Sequence, residues 1–287
     1  MRFIIMFMCF MLTNPILAQV INYQTDSFAN IEAQYKKLGV DPKTTLMVFD
    51  LDDTLITMSQ PLGSVGWWDW QQELQNQGSD SDKLVTKDYQ QLVRIQNILF
   101  QLVKMEVTDE YVIPFLKDTI KQGTMLLGLT ARGQEHLSAT LMQLKDNQFM
   151  LEEQLIFRKH GLKLKHNKTS IAGTVHCPQF NREVIYQQGI MFLDGEDKGE
   201  ALLCMLTKTK QNIKTILFVD DTKGNIISMN KAFANRDDLL VLNVFYTKEN
   251  AKEQEIKTNP DVQEQLFEQW NMIKKNLNNV IMQSNFQ

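Results

Sequence analysis

The sequence predicts an α/β fold, a Rossmann-like three-layer sandwich with a mainly parallel sheet and a small helical cap insertion. Three observations support this fold class. Short apolar runs rich in β-branched residues alternate with helix-length segments, which is the pattern of strands joined by crossover helices. Three of the apolar runs end in polar residues, as strands beside a ligand site do. One long Gln-rich stretch, residues 57–109, interrupts the alternation near its beginning.

The predicted elements follow one another along the chain. Residues Thr44–Phe49 form a buried strand, and Val112–Lys121 form a helix that Gly123 ends. Residues 154–186 are predicted to be irregular. The remaining strands are predicted at 124–129, 189–193, 216–219 and 239–246, and the remaining helices at 135–144, 201–206, 225–233 and from Pro260 onward.

Residues 57–109 are predicted to form a helical insertion between the first strand and the helix that leads to the second. Apolar residues between Tyr89 and Leu102 recur at helical spacing. The segment Gly66–Trp70 reads GWWDW and holds three of the four tryptophans, Trp67, Trp68 and Trp70. We expect these rings to form the core of the insertion; a flat surface that stacks on a base or a sugar is the alternative.

The composition is that of a soluble globular protein. Of the 287 residues, 43% are hydrophobic and 22% are charged, and the formal net charge is −4. This balance gives no sign of a nucleic-acid-binding protein. The basic stretch Phe157–Ser170 lacks acidic residues. It is expected to be a solvated loop, with attraction of a polyanionic substrate or of anionic lipid as the alternative.

The first 18 residues have the features of a secretory signal peptide. Arg2 precedes an apolar run, Phe3–Leu12, and the small residue Ala18 offers a cleavage site. The run is shorter than the roughly 20 apolar residues that a membrane span needs. We therefore expect export to the periplasm or outside the cell, without stable membrane insertion after cleavage. A buried N-terminal helix or an uncleaved anchor is the alternative.

Two cysteines remain after such cleavage. Cys177 and Cys204 would form a disulfide in an exported protein, or would stay as buried free thiols. No paired cysteine or histidine spacing accompanies them, which excludes a typical zinc site.

Polar residues follow three of the predicted strands. The carboxyl ends of parallel strands meet at one edge of the sheet, so we expect these side chains to face one crevice. Carboxylates so close together repel one another, and Mg²⁺, which prefers oxygen ligands, would offset that repulsion. The residues concerned are Asp50, Asp52 and Asp53 after the first strand, Thr130 after the second, and Asp220 and Asp221 after the strand 216–219.

With these residues the sequence resembles the haloacid dehalogenase-like (HAD) hydrolase superfamily, specifically its magnesium-dependent phosphatase branch. The motif DxDxT of that branch matches Asp50–Thr54, and a strand that ends in Thr matches LLGLT at Thr130. A lysine at a helix start matches Lys198, and an apolar strand that ends in paired acids matches FVDD at Asp220 and Asp221. The four motifs occur in the order of the family, over roughly residues 46–230.

The resemblance implies a role for each matched residue. Asp50 would be the nucleophile that forms an aspartyl-phosphate, and Asp52 would protonate the leaving oxygen and then activate water. Thr130 and Lys198 would bind the transferring phosphoryl group. The cofactor would be Mg²⁺, held by the Asp50 carboxylate, by the backbone carbonyl of Asp52 and by Asp221, with Asp220 as the second acid of its pair.

The sequence thus predicts a signal peptide at 1–18, a catalytic core at 19–56 and 110–287, and a cap at 57–109. The expected function is that of an exported, Mg²⁺-dependent phosphomonoesterase, an acid phosphatase of the HAD type, acting on a small phosphorylated substrate. A phosphotransferase with the same nucleophile is one alternative. A binding or effector protein of low activity on the same fold is the other. Substrate identity and oligomeric state stay open.

Overall fold

The computed structural model describes residues 19–78, 81–164 and 173–283. The expected signal peptide, residues 1–18, lies outside the described residues, as does the part of the basic stretch from Lys165 to Ser170.

A large sheet lies at the centre of the molecule. Eight of the strands in the described part of the chain form it, in the order β1-β12-β11-β2-β5-β10-β9-β8. From β1 to β10 neighbouring strands are parallel, while β9 and β8 continue the sheet antiparallel. The predicted mainly parallel sheet is confirmed. The strands in chain order are β1 (Gln19–Thr25), β2 (Thr45–Phe49), β3 (Ile56–Met58), β4 (Met105–Val107), β5 (Met125–Thr130), β6 (Met150–Leu151), β7 (Gln154–Leu155), β8 (Gly173–Thr174), β9 (Ile185–Gln187), β10 (Ile190–Phe192), β11 (Thr215–Asp220) and β12 (Leu240–Tyr246).

Helices cover both faces of this sheet. Met47 and Phe49 of β2 belong to the apolar cluster on one face, whereas Leu46 and Val48 belong to the cluster on the other. Helices α1, α4, α5 and α6 pack into the first cluster, and α7 and α8 into the second, so the predicted three-layer arrangement is confirmed. The helices are α1 (Phe28–Lys37), α2 (Val65–Asn76), α3 (Tyr89–Leu102), α4 (Val112–Lys121), α5 (Leu137–Asp146), α6 (Ile156–His160), α7 (Lys198–Lys208), α8 (Lys223–Phe233), α9 (Asn250–Thr258) and α10 (Pro260–Gln283).

The central strands match their predicted positions to within one or two residues, but two N-terminal elements were not expected. Strand β1 pairs only with β12 at the edge of the sheet, and its outward residues are polar and exposed. Its sequence, QVINYQT, therefore lacks the continuous apolar run of a central strand. Helix α1 buries Phe28, Ile31 and Tyr35 at helical spacing, but these are its three buried residues among mostly polar ones, and the helix was not predicted.

The insertion leaves and rejoins the core through a two-stranded ribbon. Strands β3 and β4 pair antiparallel, and α2 and α3 lie between them in the chain. The apolar faces of α2 and α3 form a separate cluster with Ile256 of α9 and with Leu266 and Trp270 of α10. The C-terminal helices thus pack against the helices of the insertion, where Lys257 also pairs with Asp69 at 2.6 Å.

Cys177 and Cys204 form a disulfide. It joins the segment between β8 and β9 to helix α7, with Cα atoms 6.2 Å apart. The sequence left open a disulfide or two buried free thiols, and the structure has the disulfide. In the described part of the chain, no helix has the length and apolar character to cross a membrane.

Candidate active site

Asp50 lies immediately beyond the carboxyl end of β2. Its backbone N–H donates to the carbonyl of Val219, which continues the pairing of β2 with β11. The chain then turns sharply, since the N–H groups of Leu55 and Ile56 both donate to the carbonyl of Leu51. This turn leaves Asp50 buried while Asp52 faces a cavity.

Thr54 connects this turn to the end of β11. Its hydroxyl donates to Oδ1 of Asp221 at 3.1 Å and accepts from the backbone N–H of Asp221, also at 3.1 Å. This reciprocal pair fixes the first motif against the fourth.

Lys198 is the first residue of α7 and is almost fully buried. Its ammonium Nζ donates to Oδ1 of Asp50 at 2.5 Å and to Oδ2 of Asp220 at 2.7 Å. Asp197 caps the helix by accepting from the N–H of Glu200. The third motif is thereby placed beside the first and the fourth.

The site concentrates more negative than positive charge. Burial raises the pKa of Asp50 to about 7; Lys198 opposes this shift, and Asp220 and Asp52 add to it. Burial, together with Asp50 and Asp220, raises the pKa of Asp221 well above its ordinary range. Burial alone would lower the pKa of Lys198, but the neighbouring carboxylates outweigh it and raise that pKa. One lysine therefore does not neutralise the three acids.

These acids fit a divalent cation. Asp50, Asp220 and Asp221 each offer a carboxylate oxygen, and the three oxygens lie within 4.8 Å of one another. An all-oxygen donor set of this kind suits Mg²⁺, and its charge would offset the repulsion that raises the carboxyl pKa values. Asp221 lines the cavity, whereas Asp220 lies behind it and accepts from Lys198, Asn225 and the N–H of Thr222.

Asp52 has a partner that the sequence analysis missed. Arg132 donates from Nη2 to Oδ1 of Asp52 at 2.6 Å and from Nε to Oδ2 at 2.8 Å. A bidentate pair of this kind is strong and directional. The signal in the sequence was an arginine two residues beyond Thr130, in LTARG, at the same strand end as the predicted site.

Thr130 ends β5 and is fully buried. Its hydroxyl oxygen accepts from the backbone N–H of Arg132 at 3.2 Å. The structure thus brings Thr130 to the same end of the sheet as Asp50, one strand away, as predicted from the parallel arrangement.

A cavity of about 440 Å³ opens between this edge of the sheet and the insertion. Asp50, Asp52, Asp221, Arg132 and Lys198 line its floor. Helices α2 and α3 form the opposite wall with aromatic side chains, Trp68, Tyr89 and Phe100. The volume is in the range of small-molecule sites and exceeds what a phosphoryl group alone would fill.

The three tryptophans of the insertion divide between the two roles considered for them. Trp67 and Trp70 are buried in the cluster shared with α9 and α10, as expected of core residues. Trp68 is only half-buried, lines the cavity and packs edge-to-face on Tyr89, with ring centroids 6.1 Å apart. The expectation of a core is therefore correct for two of the three rings.

This division predicts that substitutions at Trp67 and Trp68 affect different properties, stability in one case and ligand binding in the other. Trp67→Ala should lower the free energy of unfolding by about 3–5 kcal/mol, because it leaves a cavity in the core of the insertion. Trp68→Ala should cost less stability, because Trp68 is half-buried at the edge of the cluster, and should alter the binding of ligands in the cavity. Chemical denaturation and ligand titration of both variants check this, and equal destabilisation by the two would contradict the division.

Comparison with known proteins gives a family and two distant structural likenesses. A family model described as "Protein of unknown function (DUF2608)" matches residues 24–283. No curated protein matches the chain. Two solved structures of the HAD domain of the effector protein Lem4 from Legionella pneumophila match 77% of this chain and 97% of theirs. The inactive mutant is 15% identical with a TM-score of 0.34, and the other is 13% identical with a TM-score of 0.30. The geometry of the site therefore carries the functional conclusion.

Proposed function

This chain belongs to the DUF2608 family, and we propose that it is a Mg²⁺-dependent phosphomonoesterase that acts through an aspartyl-phosphate on Asp50. One observation carries the proposal. Asp50 is a buried carboxylate on the floor of a cavity, in contact with Lys198, and it shares a cation-sized group of oxygens with Asp220 and Asp221. A carboxylate nucleophile, a lysine ammonium beside it and a metal site are the groups that phosphoryl transfer through an aspartyl-phosphate requires.

In the first step an Oδ atom of Asp50 attacks the phosphorus of the ester, and the bond between phosphorus and the leaving oxygen breaks. Asp52 has to enter this step in its protonated form, although Arg132 pairs with its carboxylate in the free enzyme. It gives this proton to the leaving oxygen, so the product leaves as a neutral alcohol. Lys198 lies against Asp50, where its ammonium stabilises the negative charge of the transferring phosphoryl group.

In the second step a water molecule attacks the phosphorus of the aspartyl-phosphate. Asp52, now a carboxylate, accepts the proton of this water, and the bond to Asp50 breaks to release inorganic phosphate. The enzyme thereby returns to its starting state. Asp52 lies two residues from Asp50 and lines the same cavity, which allows it to serve both steps.

Asp50 and Asp221, with the backbone carbonyl of Asp52, would hold Mg²⁺, and Asp220 would support Asp221 from behind. When bound, the cation would keep the carboxylates ionised and screen the phosphoryl oxygens. The position of Asp221 on the cavity wall, with Asp220 already bonded to Lys198, favours this order of the two acids.

We also propose that the protein is exported, with residues 1–18 as its signal peptide and residues 57–109 as the cap over the site. The disulfide between Cys177 and Cys204 supports export, because such bonds persist in oxidising compartments. The proposed partner is a small phosphorylated substrate rather than a nucleic acid.

Phosphate release from p-nitrophenyl phosphate tests the proposed activity. Residues 19–287 should release phosphate with Mg²⁺ and lose this activity in excess chelator, with recovery when Mg²⁺ is restored. A parallel assay with added alcohol tests for a phosphotransferase, which would transfer phosphate to the alcohol rather than release it. A protein that neither releases phosphate nor binds Mg²⁺ by calorimetry would contradict the proposal and favour a binding protein on this fold.

A further inference from the structure

Arg132 makes an unusually complete set of contacts for a cavity residue. The residue is only 5% exposed, although it lies on the floor of an open cavity. Besides the bidentate pair with Asp52, its Nη1 donates to Oγ1 of Thr140 at 2.8 Å and to Oε1 of Gln143 at 2.7 Å. All N–H groups of the guanidinium therefore have acceptors except one on Nη2.

Two further elements hold the guanidinium in this position. Its Cζ atom lies 4.1 Å from the centre of the Phe100 ring, in the last turn of α3. Gln143 of α5 donates from Nε2 to the carbonyl of Phe100 at 2.8 Å. Arg132 is thus fixed between α5 and the end of the insertion, and a side chain fixed in this way defines where its partner lies.

Asp52 depends on this support. In the described part of the chain, its carboxylate has no hydrogen-bond donor other than Arg132. Its backbone belongs to the turn after β2, so rotation about the side-chain bonds alone would carry the carboxylate away from Asp50. The planar fork of Arg132 fixes both oxygens and hence the plane of the carboxylate.

We propose that Arg132 is a positioning residue that holds the Asp52 carboxylate toward the leaving oxygen of the substrate. This inference rests on the proposed phosphomonoesterase activity. Arg132 acts through Asp52 rather than by binding the phosphoryl group, because most of its donors already have protein acceptors. Loss of Arg132 should therefore resemble misplacement of Asp52, and should matter most for substrates whose leaving oxygen requires a proton.

Two esters of similar size separate these roles. Benzyl phosphate releases a strongly basic alkoxide that needs a proton, whereas p-nitrophenyl phosphate releases a stable phenolate that does not. In Arg132→Gln, kcat/KM for benzyl phosphate should fall about 100-fold, the size of loss that misplacing a group by about 1 Å can cause. For p-nitrophenyl phosphate kcat/KM should fall about tenfold or less. Arg132→Lys, which keeps the charge but not the fork, should lie between the wild type and Arg132→Gln.

Arg182 provides the matched control. It lines the same cavity and lies 6.0 Å from the Tyr89 ring, but it donates to the carbonyl of Asp194 and not to Asp52. Arg182→Gln should change kcat/KM for both esters by the same factor. An equal loss on both esters in Arg132→Gln, through a higher KM, would overturn the proposal and assign Arg132 to phosphoryl binding. Unchanged kinetics would overturn it as well.

The position of the Asp52 carboxylate can also be determined without measuring catalysis. If the wild type cleaves neither ester, the proposed function fails, and crystal structures of the wild type and of Arg132→Gln decide the positioning role. A displaced Asp52 carboxylate in the variant supports it, and an unmoved one overturns it. If Arg132→Gln does not fold, Arg132→Lys takes its place in both measurements.

Discussion

Asp50→Asn is expected to lower Mg²⁺-dependent phosphate release by about 10⁴-fold or more, because an amide cannot form the covalent intermediate. The variant should still fold, because asparagine has nearly the size of aspartate and Asp220 remains as a carboxylate partner of Lys198. Steady-state phosphate release with saturating Mg²⁺, together with thermal unfolding, measures both properties.

Asp53→Asn is the matched control for this experiment. Burial raises the pKa of Asp53 to about 8, which favours its neutral form, and an amide is a close substitute for a neutral carboxyl. Its backbone has a positive φ of 53°, a conformation that asparagine adopts readily. Asp53→Asn should therefore retain most of the activity. Comparable activity in Asp50→Asn and Asp53→Asn would contradict the role of Asp50 as nucleophile.

Lys198→Met is expected to have the second-largest effect, on both stability and activity. The substitution leaves the buried carboxylates of Asp50 and Asp220 without the ammonium that lies 2.5 Å and 2.7 Å from them. Removing one partner of a buried ion pair costs about 3–5 kcal/mol of unfolding free energy. Urea denaturation at neutral pH without metal measures this loss, and the loss should shrink when Mg²⁺ binds the same acids.

Lys223→Met is the matched control for Lys198→Met. Lys223 is also the first residue of a helix that follows a strand of the central sheet, but it is exposed. Its removal should change the unfolding free energy by less than about 0.5 kcal/mol. Equal effects of the two substitutions would show that Lys198 contributes no more than a surface lysine.

The sequence was sufficient for the positions of the strand-end residues. The apolar runs before Asp50, Thr130 and Asp220 are buried strands because a central parallel strand is covered on both faces. The parallel arrangement then brings their ends together whatever their separation in the chain. Lys198 reached the site for the same reason, since α7 begins shortly after β10.

The role of Arg132 could not be derived in the same way. Its partners Asp52 and Gln143 lie 80 and 11 residues away in the chain, and no spacing rule connects a side chain to contacts on other elements. The same limit applies to the packing of α9 and α10 on the insertion. Helical periodicity shows that a helix has an apolar face, but not which surface that face meets.

The local sequence pattern also did not show which aromatic residues of GWWDW lie in the core and which line the cavity. Trp67 and Trp68 are adjacent in the chain, and only the direction in which α2 presents them places one in the core and the other at the cavity. A helix turns by about 100° per residue, so neighbouring positions face different surroundings. The orientation of α2 follows from its contact with α9, which is distant in the sequence.

The most direct measurement of the central claim is to trap the covalent intermediate. The protein is mixed with Mg²⁺ and p-nitrophenyl phosphate, quenched in acid within the first turnover, digested and examined by mass spectrometry. The account predicts phosphate on Asp50, in the peptide that contains β2, and none in Asp50→Asn. Phosphate on another residue, or rapid phosphate release with no phosphorylated peptide under conditions that preserve acyl phosphates, would contradict it.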